Sequence, residues 1–224
     1  MRVTVIRHHE EDSAGFVGDA FASRGAELAV HMFPKEGRLP EPEGLDHVVL
    51  LGANFSVYSG GADADWIAEE LAWLRRADDA GVPVFGICFG AQALAATFGG
   101  RVEPAARKEV GWTVVDTLDP RLIPAGPWLE FHGDQCHLPS QARLLAHNAL
   151  GVQAFALGRH LAVQFHPEVD EAQLRGWLDA GGRADAERAG VDPDRLLADT
   201  AAQEPAARDR AGRLVAAALR IAAA

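Results

Sequence analysis

Residues 82–96 constrain this chain most. An apolar run, Val82-Pro83-Val84-Phe85-Gly86-Ile87, enters Cys88 without a polar break, and Phe89-Gly90-Ala91-Gln92-Ala93-Leu94-Ala95-Ala96 continues with helical composition. In order, this reads as a buried strand, a sharp turn carrying a thiol, and a helix. Such a strand needs cover on both faces, which points to a mostly parallel sheet. β-rich runs at residues 3–6, 28–33 and 47–51 precede it. Before the fourth run, Asp65 opens a segment in which Ile67, Leu71 and Leu74 share one helical face while Glu69 and Arg76 lie off it, an amphipathic helix with an acidic start. Strands alternating with helices predict an α/β fold with a mostly parallel central sheet flanked by helices. After Gly99-Gly100 the character shifts to a smaller, antiparallel region of short strands, around residues 112–117, 143–147, 152–157 and 160–165. Residues 170–224 read as a helical, Ala/Arg-rich segment, with Leu214, Ala218 and Ile221 on a stripe that packs on the rest.

Composition bounds the function classes. With 224 residues, 48% of them hydrophobic, the chain can bury one large core and little more, so residues 1–224 are expected to form one domain. A formal net charge of -11 disfavours a phosphate backbone as partner, and no Lys/Arg cluster is interleaved with aromatics, so nucleic acid is excluded. The start, MRVTVIRHHE, turns charged too soon for a signal peptide, and no apolar run is long enough to span a bilayer; the expectation is a cytoplasmic protein without a membrane partner. Two cysteines, Cys88 and Cys136, suggest free thiols.

The chemistry starts at Gly86-Ile87-Cys88-Phe89-Gly90. Glycines flanking a nucleophile permit a strained strand-to-helix turn that exposes its side chain, the nucleophile-elbow pattern with cysteine in place of serine. The turn sets the thiol at a helix N-terminus, which favours thiolate, and aims the Phe89 N–H at a developing oxyanion. A small buried cysteine packed between strand and helix would fit the same five residues. A second segment separates the two readings: in Gln164-Phe165-His166-Pro167-Glu168 an apolar strand ends in a histidine, and a carboxylate follows two residues later. Thiolate attack on an amide needs a partner for the thiol and an acid for departing ammonia; imidazole serves both, and a carboxylate fixes its tautomer.

With these segments in view, the chain resembles the class I glutamine amidotransferase family over nearly its whole length. Residues 83–92 are similar to that family's nucleophile segment and residues 164–168 to its His-Pro-Glu segment. Lys108-Glu109-Val110-Gly111-Trp112 and Phe131-His132-Gly133-Asp134 resemble stretches of stand-alone members related to the amidotransferase domain of GMP synthetase. The resemblance implies a flavodoxin-like fold, Cys88 as nucleophile, His166 as base and acid, Glu168 as its orienter, and Gln92 with His132, Gly133 and Asp134 near a bound glutamine. It implies no metal and no organic cofactor. One departure stands out. Where the family usually carries a Ser-Gly-Gly-Pro-type oxyanion strand, this chain reads Leu51-Gly52-Ala53-Asn54, with alanine for glycine and asparagine for proline. A backbone donor at Gly52 or Ala53 survives if Ala53 is not required at positive φ.

Other residues have plainer readings. His8-His9-Glu10 is a poor metal site, because neighbours in an extended segment face opposite ways, and is expected at a pocket mouth. Cys136, beside His137, has no elbow to present it and reads as structural. Trp66, Trp73, Trp112, Trp128 and Trp177 are expected in core or rim packing. Four functions fit. The first is a glutaminase releasing ammonia to a separate synthetase or acceptor subunit, since no P-loop is present. The second is an autonomous γ-glutamyl peptidase; the third, a catalytically silent ligand-binding relative with a spoiled oxyanion segment. The last is a cysteine α/β-hydrolase using Cys88, Asp134 and His166. The Pro167-Glu168 sequel and Gln92 favour the amidotransferase over this last reading.

Overall fold

The computed structural model describes residues 1–224, the side chain of Ala62 excepted. In chain order the elements are β1 (Arg2–Arg7), α1 (Gly15–Ala22), β2 (Glu27–Met32), β3 (His47–Leu50), α2 (Ala64–Asp79), β4 (Val84–Ile87), α3 (Phe89–Thr97), β5 (Arg101–Val114), β6 (Asp116–Thr117), β7 (Pro127–His137), β8 (Arg143–Asn148), β9 (Gly151–Leu157), β10 (His160–Val163), α4 (Glu171–Trp177), α5 (Arg183–Arg188) and α6 (Pro193–Ala222).

Eight strands form one sheet in the order β2-β1-β3-β4-β10-β9-β8-β6. The first five run parallel and the last three pair antiparallel, so the sheet is parallel where helices cover it and turns antiparallel toward one edge. Alternating side chains divide the core. Val3, Val5, Val49 and Ile87 pack with Val17 and Phe21 of α1 and with Leu214, Val215, Ala218 and Ile221 of α6. Ile6, Val48, Leu50 and Val84 pack on the other face with Trp73 and Leu74 of α2 and Leu94 of α3. The continuous apolar character of β3, β4 and β10 follows from burial on both faces.

β5 and β7 make a separate two-stranded antiparallel sheet, with Glu109 opposite His132. This is the main departure from the sequence reading, which placed a short strand at residues 112–117. β5 is a long ribbon beginning at Arg101, and only Asp116–Thr117 joins the main sheet. Arg101–Val114 carries Pro104 and several exposed polar residues, so it lacks the alternation that announces a strand; pairing along β7 holds it extended. α1 was also unforeseen, for it opens on Gly15 with no side-chain cap.

The C-terminal segment is helical as expected. Asp170 caps α4 by accepting from the Gln173 N–H, and Asp192 caps α6 by accepting from Asp194 and Arg195 N–H, with Pro193 at the first helical position. Leu214, Ala218 and Ile221 are all buried. Among the described residues, no helix is long and apolar enough to cross a membrane.

Candidate active site

The carboxyl ends of β1, β3, β4 and β10 converge where open α/β sheets place their ligands. Cys88 sits between β4 and α3 with φ 52° and ψ -108°, and among the described residues it is the non-glycine residue at positive φ. Its N–H donates to the Val163 carbonyl at 2.8 Å, while its carbonyl accepts from Gln92 N–H at 3.0 Å, so sheet and helix hold the strained residue from both sides. The two flanking glycines are required by close approach. A Cβ on Gly86 would lie 2.6 Å from the Gly90 carbonyl oxygen, and one on Gly90 only 2.2 Å from that of Leu50.

His166 approaches from the end of β10. Its N–H donates to the Leu129 carbonyl at 2.8 Å, its ring meets Trp177 edge-on at 4.9 Å, and its Nδ1 donates to Glu168 Oε1 at 2.7 Å. Nε2, buried, has no hydrogen-bond partner. Gly52 seats against both chemical groups: a Cβ there would lie 3.3 Å from His166 Cε1 and 3.6 Å from Cys88 Cβ. Burial pulls the His166 pKa down, but the Glu168 carboxylate and the neighbouring Cys88 sulfur more than offset it and hold the pKa well above the ordinary imidazole value. Glu168 is anchored in turn, since its carbonyl accepts from Phe16 N–H at 2.9 Å and lies where a Cβ on Gly15 would be.

Gln164, which the sequence motif leaves without a role, places its Nε2 3.5 Å from Cys88 Sγ. Gln92 stands behind it, donating to Gln164 Oε1 at 3.1 Å. The two amides thus form a relay toward the sulfur, and both are buried.

His132 faces the same space from β7. Its Nδ1 bonds the Asp134 carbonyl at 2.9 Å, and its Nε2 lies 3.1 Å from Glu130 Oε2 and 3.2 Å from Glu109 Oε2. A carbonyl and carboxylates can only accept, so both ring nitrogens donate and the ring is an imidazolium. Burial opposes that charge, but the hydrogen bonds to Glu109 and Glu130 prevail and raise the pKa to about 10. Burial raises the pKa of fully enclosed Glu130, whereas Glu109 is lowered: burial opposes ionisation there, and His132, Asn148 and Gln153 outweigh it. The Glu109, Glu130 and His132 ligand atoms lie within 4.8 Å of one another, a spacing a divalent cation could use. The His132 proton already supplies the counter-charge. Nothing in the sequence announced this cluster beyond Glu130 and His132 sharing a strand face at i, i+2.

Asp134 accepts from Ser56 Oγ and from Tyr58 Oη at 2.6 Å, tying the loop after β3 to β7. It does not bond His166, whose carboxylate partner is Glu168, so the Cys88-Asp134-His166 arrangement of a cysteine α/β-hydrolase is absent. Gly133 lines the pocket beside Lys108, which pairs with Asp185 at 2.5 Å. Phe89, the first residue of α3, places its N–H at the turn next to Cys88. Ala53 has no positive φ, so its Cβ carries no backbone strain. Of the residues named from sequence, Cys88, His166, Gln92, His132, Gly133, Asp134, Gly52 and Ala53 all line one cavity of about 540 Å³, with Glu168 directly behind His166. His9 lines it too, whereas His8 is buried and Glu10 is exposed beside Lys35. Trp66, Trp73 and Trp128 are buried and Trp177 walls the cavity. Cys136 is buried, and burial, Cys88 and Asp134 push its thiol up to about 12.

The site is thus a strained cysteine at a strand-to-helix turn, facing a histidine backed by glutamate at the end of the parallel part of an α/β sheet. The glutamine amidotransferase class-I family profile matches residues 17–175, and the chain belongs to that family. The GMP synthase (glutamine-hydrolyzing) of Thermomicrobium roseum is 38% identical over 137 residues, 57% of this chain and 24% of that enzyme. This chain therefore spans about a quarter of the length of the curated relatives it matches. A crystal structure of a glutamine amidotransferase from Thermotoga maritima superposes with a TM-score of 0.88 at 26% identity, covering 100% of this chain and 99% of that one. A glutamine amidotransferase structure from Methylobacillus flagellatus shares the fold, with a TM-score of 0.87 at 21% identity over 98% of this chain and 94% of that one.

Proposed function

We propose that this protein hydrolyses the γ-amide of glutamine through Cys88, His166 and Glu168 and supplies the ammonia to a separate acceptor enzyme. The observation that carries the reading is the strained Cys88 at the head of α3, facing a His166 whose Nδ1 is committed to Glu168 and whose Nε2 is unclaimed. The Cys88 thiolate adds to the γ-carbonyl, the oxyanion settles against the N–H groups of Phe89 and Ala53, and His166 Nε2–H protonates departing ammonia. Water, deprotonated by His166, then opens the γ-glutamyl thioester to release glutamate and restore the thiol. Glu168 keeps the ring oriented and offsets its positive charge.

A second reading is favoured by the cavity itself. It runs beyond Cys88 to Lys108, Phe131, Gly181 and Asp185, leaving room for a leaving group larger than ammonia, as an autonomous γ-glutamyl peptidase would need. Glutamate release from L-glutamine and from a panel of γ-glutamyl dipeptides, with Cys88→Ala as the blank, tests both. Glutamine turnover lost in the variant supports the glutaminase, and faster dipeptide cleavage favours the peptidase. Release that persists in Cys88→Ala overturns both.

A further inference from the structure

The adjacent histidines His8 and His9, just past β1, are not used by the chemistry above, yet both grip the segment that departs from the family pattern. His8 Nδ1 lies 2.8 Å from the Gly52 carbonyl oxygen, and His8 Nε2 lies 3.2 Å from each oxygen of Glu70 on α2. Carbonyl and carboxylate both accept, so His8 donates from both nitrogens and is charged. His8 and Glu70 are almost wholly buried, and the imidazole packs edge-on against Phe89 at 5.1 Å and tilted against Trp66 at 5.5 Å. Removing an ion pair from water is costly, and an oriented backbone carbonyl is what this one holds. His9 Nε2 stands 3.4 Å from the Asn54 N–H as acceptor, and its ring stacks on Phe55 at 5.7 Å. A proline at position 54 would have no N–H to satisfy; Asn54 has one, and His9 takes it.

A trans peptide points its C=O and N–H in opposite directions. With the Gly52 carbonyl turned onto His8, the Ala53 N–H is turned away from it, while Gly52 itself lies against His166 and Cys88. Among the described residues the Ala53 N–H makes no hydrogen bond, although its neighbours on both sides are held.

We propose that His8, braced by Glu70, is a positioning residue for this site: it locks the Gly52–Ala53 peptide so that the Ala53 N–H is the second oxyanion donor, with His9 fixing Asn54 on the far side. The clamp lets an Ala-Asn sequence do what the Gly-Pro sequence does in the family pattern. It rests on the amide hydrolysis proposed above.

The test uses two paired variants of the full chain. His8→Leu with Glu70→Leu removes the clamp without stranding a buried charge, and His8→Asn with Glu70→Gln keeps an amide donor for Gly52. The leucine pair is expected to lose on the order of 10²-fold in kcat with KM for glutamine nearly unchanged, as for a missing oxyanion donor. Alkylation of Cys88 by iodoacetamide, which builds no oxyanion, should keep its wild-type rate, and the asparagine-glutamine pair should recover most of kcat. Retained kcat in the leucine pair overturns the proposal, as does a parallel fall in alkylation. Crystal structures of the two variants provide a readout that needs no turnover. Rotation of the 52–53 peptide in the leucine pair alone supports the clamp even if wild-type protein proves inactive on every γ-glutamyl substrate, an outcome that would defeat the functional reading instead. An unrotated peptide defeats the clamp.

Discussion

Replacing His132 with glutamine removes the cation between Glu109 and Glu130 while keeping an amide donor of similar reach. Glu130 is fully enclosed and Glu109 nearly so, so two carboxylates lose their shared counter-charge inside the protein. The pKa of His132 rises from 6.5 to about 10 on folding. At about 1.36 kcal/mol per pH unit, this is worth roughly 4 kcal/mol at pH 7. The cost known for breaking a buried pair by removing one partner, about 3–5 kcal/mol, gives the same magnitude by another route. Since the folded state holds this proton to higher pH than the unfolded chain, the stabilisation is whole below pH 6.5 and fades as pH rises toward 10. About 2–3 kcal/mol of it should be gone by pH 9. Urea unfolding at pH 7 and pH 9 measures both quantities. His132→Gln should unfold at much lower urea at pH 7 and show a smaller pH 7-to-9 decline than wild type, and adding Glu130→Gln should restore part of the loss. A cost below about 1 kcal/mol at pH 7, or an unchanged decline with pH, would refute the idea that His132 is a buried imidazolium.

The remaining expectations concern the elbow, the second thiol and a buried neutral histidine. Gly90→Ala forces a Cβ to within 2.2 Å of the Leu50 carbonyl oxygen, so β3 and α3 must part; thermal unfolding should report a loss of about 2–4 kcal/mol. Iodoacetamide at pH 8 should label Cys88 but leave Cys136, buried with its thiol pushed up to about 12, unmodified by peptide mass spectrometry. His47, packed against Phe21 with its Nε2 unpaired, is lowered by burial from 6.5 to about 4. The unfolded chain therefore takes up that proton first, and wild type should lose up to about 3 kcal/mol as pH falls from 6.5 to 4. His47→Leu should flatten that acid limb in urea titrations at pH 7 and pH 4.5.

What the sequence made legible was local. The run into Cys88 and its flanking glycines announced β4, the turn and α3, because burial on both faces and backbone-on-backbone approach leave few residue choices. His166 and Glu168 were readable because two residues of chain already bring the carboxylate to Nδ1. The contacts that build the rest of the pocket span long sequence separations. Glu109 meets His132 only through the β5–β7 register, and Glu70 meets His8 only because α2 packs over β1 and β3. The His8-His9 pair is expected at the pocket mouth, where His9 does lie, while His8 is buried behind it. The pair's grip on residues 52–54 depends on where the β3 loop turns, which no local pattern encodes. β5 is not legible because Pro104 and the charged run Arg107-Lys108-Glu109 interrupt the apolar-polar alternation that marks a strand with one solvated face.

The most direct test of the central claim is acid-quenched mass spectrometry of the protein mixed with L-glutamine, in wild type and in Glu168→Gln, where slower base action should let an acyl intermediate accumulate. The account predicts a γ-glutamyl thioester on the peptide carrying Cys88, lost on treatment with hydroxylamine and absent from Cys88→Ala. Steady glutamate release with no adduct on that peptide, or with the adduct on Cys136, would contradict it.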